Sequence, residues 1–224
     1  MKMIQTLIDE ALKSKNDKPR KRSGKFSPSS FGKCYRAQVW NRADVQKTDE
    51  PEDRVLRVFK AGKLFHDYVQ GVIVDNNPDM QTEVKVEEDD VIGFADLVNG
   101  DIVYDLKTVH SVAFHYMKED ISESKKPNIL QVIFYAMCLE KPKAALVFIS
   151  KDDLCLKEYT FFTDKWGHEV SEELTQLRYH WAKWQGSKTL PPASPRAYKD
   201  SKGKCKECEY CSWKTLCAET EKGG

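Results

Sequence analysis

The stretch Gly93-Phe94-Ala95-Asp96-Leu97-Val98-Asn99-Gly100-Asp101-Ile102-Val103-Tyr104-Asp105-Leu106-Lys107 decides how this chain is read. Two apolar runs flank Asn99-Gly100, a dipeptide that tolerates positive φ and marks a two-residue hairpin turn. With that turn, residue 98 faces 101 and Asp96 faces Val103. Side chains alternate between faces along a strand. Asp105 and Lys107 therefore share a face with Val103 and Asp96, and Asp96 and Asp105 become diagonal neighbours within reach of one ion. Ala95, Leu97, Ile102, Tyr104 and Leu106 fall on the opposite face, which reads as core. Two carboxylates and a lysine on an otherwise apolar hairpin are unfavourable unless they are paired or hold a cation.

That set suits divalent-metal phosphodiester chemistry. Hard cations such as Mg²⁺ take oxygen ligands and keep several waters. A bound metal can generate the nucleophile, orient the phosphate and stabilise the leaving oxygen. A lysine beside it can position the attacking water or help deprotonate it. A surface hairpin carrying a Lys–Asp pair is the plainer reading of these three residues. Two further segments add to the set. Gly62-Lys63-Leu64-Phe65-His66 lies upstream and Gln131-Val132-Ile133-Phe134-Tyr135 downstream. Each places its first and last residue at i, i+4, on one helix face. Taken singly, His66 reads as a partly buried histidine, and Gln131 with Tyr135 as a polar helix pair.

In the order histidine helix, GxxD strand, DxK strand, QxxxY helix, the chain resembles the RecB-like nucleases of the PD-(D/E)XK superfamily. The serine-rich start Phe26-Ser27-Pro28-Ser29-Ser30, before a helix containing Cys34, matches the family's first signature. The resemblance covers about residues 26 to 217. It implies an α/β fold, a restriction-endonuclease-like mixed sheet flanked by helices. It implies that His66, Asp96 and Asp105, with the Leu106 carbonyl, bind Mg²⁺ or Mn²⁺, and that Lys107 is the catalytic lysine. Gln131 and Tyr135 would contact DNA or support the site. Asp105 stands where many members have Glu, which shortens the reach by one methylene.

There are seven cysteines, an odd number, and no secretory leader pattern. A reducing, cytoplasmic setting in a bacterial, archaeal or phage-infected host cell is expected. The tail reads Cys205-x₂-Cys208-x₂-Cys211-x₅-Cys217, and such clustering in a non-secreted chain argues for metal rather than disulfides. Spacing alone fits a Cys₄ zinc site or an iron–sulfur cluster. A subset of RecB-like nucleases, including AddB-type subunits and the CRISPR-associated exonucleases (the fourth of the Cas proteins), joins an N-terminal cysteine to three at the C-terminus around a [4Fe–4S] cluster. By that resemblance Cys34, Cys208, Cys211 and Cys217 are the ligands, stapling the N- and C-terminal helical regions. Cys205 is surplus, or replaces Cys208. Zinc is the alternative metal. Cys138 and Cys155 sit in apolar segments and read as buried core thiols.

The 224 residues divide into an N-terminal helix and basic linker (1–25), a nuclease-like domain (26–200) and a cysteine-rich tail (201–224). Hydrophobic residues make up 40% and charged residues 32%, an ordinary globular composition. Net charge is +1, so no global basic field steers nucleic acid, but Lys13, Lys15, Lys18, Arg20, Lys21, Arg22 and Lys25 cluster against one acid, Asp17. That run reads as a phosphate contact or a solvated linker. No apolar run is long enough to span a membrane. Apolar spacing predicts a short amphipathic helix over residues 1–12, and later helices over about 29–43, 51–74, 127–139 and 163–185. Strands are expected near 83–86, 91–98, 102–108, 144–150 and 156–161. Ser29 or Ser30 and then Thr163 are the expected helix caps, and Phe31, Tyr35 and Trp40 are candidates for base stacking or for core.

The expected activity is metal-dependent DNA exonuclease action, mainly on single-stranded ends, with end-dependence and strand preference resting on the family resemblance alone. Phage or bacterial DNA processing, recombination or CRISPR adaptation would supply the context and any protein partners. A structure-specific or restriction-like endonuclease is one alternative, and a noncatalytic DNA-binding or assembly module another.

Overall fold

A computed structural model describes residues 3–16, 23–198 and 205–222. Lys18, Arg20, Lys21 and Arg22 of the basic run lie outside the described residues. At the centre is a five-stranded mixed sheet in the order β1 (Gln81–Glu88), β2 (Val91–Asn99), β3 (Ile102–Val109), β4 (Lys143–Ser150) and β5 (Leu156–Phe162). β1, β2 and β3 form an antiparallel meander. β3 and β4 run parallel, and β4 and β5 antiparallel. A parallel pair needs a crossover, and the segment between β3 and β4 supplies it with α4 (Ser111–His115) and α5 (Lys126–Cys138).

The sequence explains these placements. β4 reads Lys-Ala-Ala-Leu-Val-Phe-Ile-Ser and is buried along nearly its whole length, as a strand covered on both faces must be. β1, at one edge, carries Glu83, Lys85, Glu87 and Glu88, charges that discourage further strand pairing. In α5 every residue from Ile129 to Ala136 is buried, and Pro127 occupies the first turn, where its missing N–H is no loss. The core joins Val103, Ala144, Leu146 and Phe148 of the sheet to Ile129, Val132 and Ile133 of α5 and to Val170, Leu174 and Leu177 of α6 (Thr163–Ser187). A long helix, α3 (Asp53–Asn76), lies against β1, β2 and β3. α1 (Met3–Asn16) packs on α3, with Arg57 paired to Asp9 and Lys13 2.8 Å from Asp53. No helix among the described residues is long and apolar enough to cross a membrane.

Several expectations need correction. The hairpin turns on Gly100-Asp101: Asn99 stays in the strand opposite Ile102, and Val98 faces Val103. Gly100 takes the left-handed conformation (φ 54°), and the Asp101 carboxylate accepts a hydrogen bond from Lys143 Nζ at 2.9 Å. The shift is by two residues and so keeps every side chain on its face. The faces themselves are less simple than expected, because both Ala95 and Val98 belong to the central core while Leu97 between them does not. Ser29 and Ser30 form a 3₁₀ turn, and the helix proper, α2 (Tyr35–Arg42), begins after Cys34 with no side-chain cap. Thr163 is the first residue of α6 rather than its cap, and its hydroxyl donates to the Pro142 carbonyl. Cys155 is exposed, in the β4–β5 turn, whereas Cys138 is half-buried and donates to Glu88. Phe31 and Trp40 are core, and Tyr35 is held by Glu173, so none of the three offers a free ring.

Candidate active site

β2 and β3 pair regularly only near their turn. Past Leu97 and Tyr104 a side chain bridges them, as the Leu106 N–H donates to Asp96 Oδ2 at 2.6 Å. A carboxylate acceptor makes this a strong bond. On the other side of β2 the ladder to β1 runs from Thr82 opposite Leu97 to Val84 opposite Ala95, and Glu83 between them has φ 49°. The register is the same on both sides of Glu83, which therefore stands opposite Asp96. The Asp96 backbone carbonyl accepts from Gln70 Nε2 of α3 at 3.0 Å, and the same amide donates to Glu83 at 3.1 Å.

Asp105 is the buried member of the pair, its side chain only 1% exposed. Lys107 Nζ stands 2.6 Å from Asp105 Oδ2 and forms an ion pair with that buried oxygen. Burial pushes the Asp105 carboxyl up to about 6, Lys107 pulls it down, and the neighbouring Asp96 pushes it further up. His66, on α3, turns Nδ1 toward Asp96 Oδ1 at 3.7 Å, too far for a hydrogen bond but facing the pair. One helical turn before it, the Cβ position of Gly62 lies 3.5 Å from Thr108 Oγ1, which shows how closely α3 rests on β3.

α5 closes the site from the sheet's other side. Lys107 Nζ donates to Gln131 Oε1 at 3.4 Å, and Gln131 Nε2 lies 3.5 Å from the Tyr135 hydroxyl. Both α5 side chains are buried. Burial also pushes the Tyr135 phenol up. Gly93 is what admits Tyr135: a Cβ on it would meet the phenol oxygen at 2.6 Å and Pro28 at 3.1 Å. The glycine of the GxxD motif is thus a packing requirement of the QxxxY motif.

No three His, Cys, Asp or Glu side chains among the described residues stand at metal-holding distances in this arrangement. The donor set still fits a hard cation: a buried Asp105 carboxylate, a second carboxylate beside it, and an imidazole facing them.

Four of the cysteines gather at the other end of the molecule. Cys34, at the start of α2, and Cys208, Cys211 and Cys217 of the tail lie near enough to act on one another's charge. After burial, Cys34 is the largest charge raising the Cys208 thiol, with smaller contributions from Glu207, Cys217 and Cys205. Burial likewise raises Cys211, which also feels Cys34, Cys208 and Cys217. Burial and the neighbouring sulfurs favour the neutral thiol at Cys208 and Cys211, and no three of these cysteines stand at metal-holding distances among the described residues. Cys205 acts on Cys208 as well. Arg36 donates to Cys217 Sγ at 3.5 Å and to Glu221 at 2.6 Å.

Two carboxylates that sequence reasoning missed organise this end. Glu207 accepts the Cys34 N–H at 2.7 Å, and the Arg196 and Ala197 N–H groups at 2.7 and 3.0 Å. Glu173 accepts the Gly32 N–H, the Tyr35 hydroxyl and the Arg196 guanidinium. Glu207 stands inside the cysteine motif, one residue before Cys208, and that adjacency was the available signal. Glu173 is one acid among several on a long helix, with no local signal. The tail is also docked by bonds that involve no sulfur. Thr48 and Asp49 N–H donate to the Ser212 carbonyl, Asp49 accepts from Thr215, and Trp213, packed near Trp40, donates to the Val45 carbonyl.

No family model matches the chain, and neither does any curated protein. Among solved structures, it aligns with the crystal structure of SSO0001 over 96% of each chain, at 18% identity and a TM-score of 0.59, and the two share a fold. An alkaline exonuclease, LHK-Exo from Laribacter hongkongensis, aligns over 73% of this chain and 93% of its own, at 12% identity and a TM-score of 0.49. That likeness is too distant to carry a functional inference.

Proposed function

We propose that this chain is a divalent-metal-dependent DNA exonuclease of the RecB-like PD-(D/E)XK kind, acting mainly on single-stranded ends. The observation that carries the reading is the buried Asp105 carboxylate, paired with Lys107 and set beside Asp96 and His66. Two carboxylates this close, one of them buried, are unfavourable for stability and suit a site that takes a cation. Asp96, Asp105 and His66, with the Leu106 carbonyl, would hold Mg²⁺ or Mn²⁺. When bound, the metal supplies Lewis-acid activation of water and charge neutralisation at the scissile phosphate. Lys107, held by Asp105 and Gln131, would orient the attacking water and offset charge on the phosphate. Tyr135 fixes Gln131 and, through Gly93, the strand that carries Asp96. End-dependence and strand preference come with the family resemblance.

Cys34, Cys208, Cys211 and Cys217 would hold the [4Fe–4S] cluster as a structural staple that carries no electrons through the reaction. Zinc on the same thiols is the alternative, separated by iron and sulfide analysis.

The test is digestion of end-labelled linear and circular single-stranded DNA with Mg²⁺ or Mn²⁺, beside Lys107→Ala. The reading predicts degradation of linear DNA only, lost in the variant. Cleavage of circles would make the protein an endonuclease. No metal-dependent cleavage of either would make it a noncatalytic module.

A further inference from the structure

A groove of about 960 Å³ runs between α2, α3, the end of β3 and the cysteine tail. It passes beside the candidate site, although none of His66, Asp96, Asp105 and Lys107 is among its described lining residues. Thr108, which follows Lys107, and Val109 line one end, while Cys34 and Cys211 line the other.

The groove is basic although the chain as a whole is nearly neutral at +1. Lys33, Lys47, Arg54 and Lys151 line it. The acid among its described lining residues, Glu207, is engaged with three backbone N–H groups. A cleft lined by one sign of charge focuses the field and concentrates ions of the other sign. The same walls present three exposed aromatic rings, Phe59 (64%), Tyr198 (51%) and Tyr210 (66%). Tyr198 and Tyr210 stand edge to face at 6.1 Å, with Lys33 over the Tyr198 ring at 5.4 Å. Tyr198 also holds a left-handed backbone (φ 57°), an uncommon state for a bulky residue.

Cations that meet phosphates, alternating with open rings that meet base faces, are the chemistry of single-strand recognition. A duplex keeps its base faces stacked inside and gives such rings nothing to hold. We propose that this groove is the track for the single-stranded part of the substrate, with the backbone on Lys47, Arg54 and Lys151 and bases on Phe59, Tyr198 and Tyr210. The inference rests on the nuclease reading and adds a binding surface for the strand beside the metal site. Because Cys34 and Cys211 line the track, the gathered cysteines also shape it.

The test is fluorescence anisotropy of 5′-fluorescein-labelled (dT)₂₀, and of a matched duplex, with the full chain in EDTA. Lys47→Glu/Arg54→Glu should weaken (dT)₂₀ binding by about 10- to 100-fold and flatten the salt dependence by roughly 0.7 for each phosphate no longer neutralised. Tyr198→Leu/Tyr210→Leu should weaken it about 5- to 100-fold at unchanged salt slope. Lys165→Glu/Lys183→Glu, on α6 away from the groove, should bind as wild type does. If a double variant melts early, Arg54→Gln and Tyr210→Leu replace it singly. Wild-type affinity in both groove variants, with cleavage intact, overturns the track and leaves the nuclease reading standing. Equal or tighter binding of the duplex, lost in the same variants, overturns the single-strand assignment. A wild-type chain that neither binds nor cleaves any DNA overturns the nuclease reading and this inference with it.

Discussion

Asp105 carries the largest conflict between stability and function in the molecule. Its carboxyl rises from an ordinary 3.8 to about 6 because burial disfavours the charge. Between those two values the folded state binds more protons than the unfolded state, so stability of the metal-free protein falls as pH rises through the window. Above about pH 6 the loss is complete, at most about 3 kcal/mol at roughly 1.4 kcal/mol per tenfold change in proton affinity. Asp105→Asn should abolish this slope in thermal melts taken from pH 4 to pH 7, and at pH 7 should melt at or above wild type. Mn²⁺ should raise the melting temperature of wild type at pH 7 and leave the variant unmoved. A variant that keeps the slope would show that another group titrates there. The chemical identity of Asp96, Asp105 and Lys107 was legible in the sequence, because carboxylates in apolar strands stand out. Their exact opposition was not, since Asn99-Gly100 signals a turn without fixing which two residues occupy it. The tight packing of Gly93 on Tyr135 was hidden as well, because it joins residues 42 positions apart in sequence.

At the scale of elements, β2 and α5 were readable from periodicity and flanking turn residues, and α3 from its length. The start of α2 was not. Ser29 and Ser30 look like caps, yet Pro28 and Gly32 turn the chain so that the helix begins after Cys34. What stands in for a side-chain cap is a remote carboxylate, Glu207, accepting the Cys34 N–H from a different part of the chain. Such a partner has no signature in local sequence. Glu207→Ala would leave three N–H groups without this acceptor, two of them on partly buried backbone. A loss of about 2–4 kcal/mol in urea unfolding is expected, at roughly 1–3 kcal/mol for a buried group left unpaired. Glu207→Gln, which keeps an acceptor oxygen, should recover part of it. Equal stability of wild type and Glu207→Ala would mean that water replaces the carboxylate without penalty.

Over the whole molecule, the order of motifs anticipated the mixed sheet and the crossover helix, since each motif sits on one element. How the tail docks was less legible. Sequence spacing pointed to sulfur alone, whereas the structure also docks the tail through Ser212, Trp213 and Thr215. Cys34→Ser should therefore lower iron content and thermal stability together while leaving the folded sheet intact by circular dichroism. Full iron loading of that variant would remove Cys34 from the ligand set. The groove beside the cysteines likewise depends on the assembled fold, because its cations come from four separate stretches of chain. The central claim is that the Asp96–Asp105 pair is a divalent-metal centre for phosphodiester cleavage. The most direct test is the Mn²⁺-dependent hydrolysis rate of end-labelled linear single-stranded DNA by Asp105→Asn against wild type, both checked for folding. The account predicts robust wild-type hydrolysis and a variant slowed by about a thousandfold or more, the order of losing a major electrostatic contribution to the transition state. An Asp105→Asn chain that cleaves at the wild-type rate would contradict it.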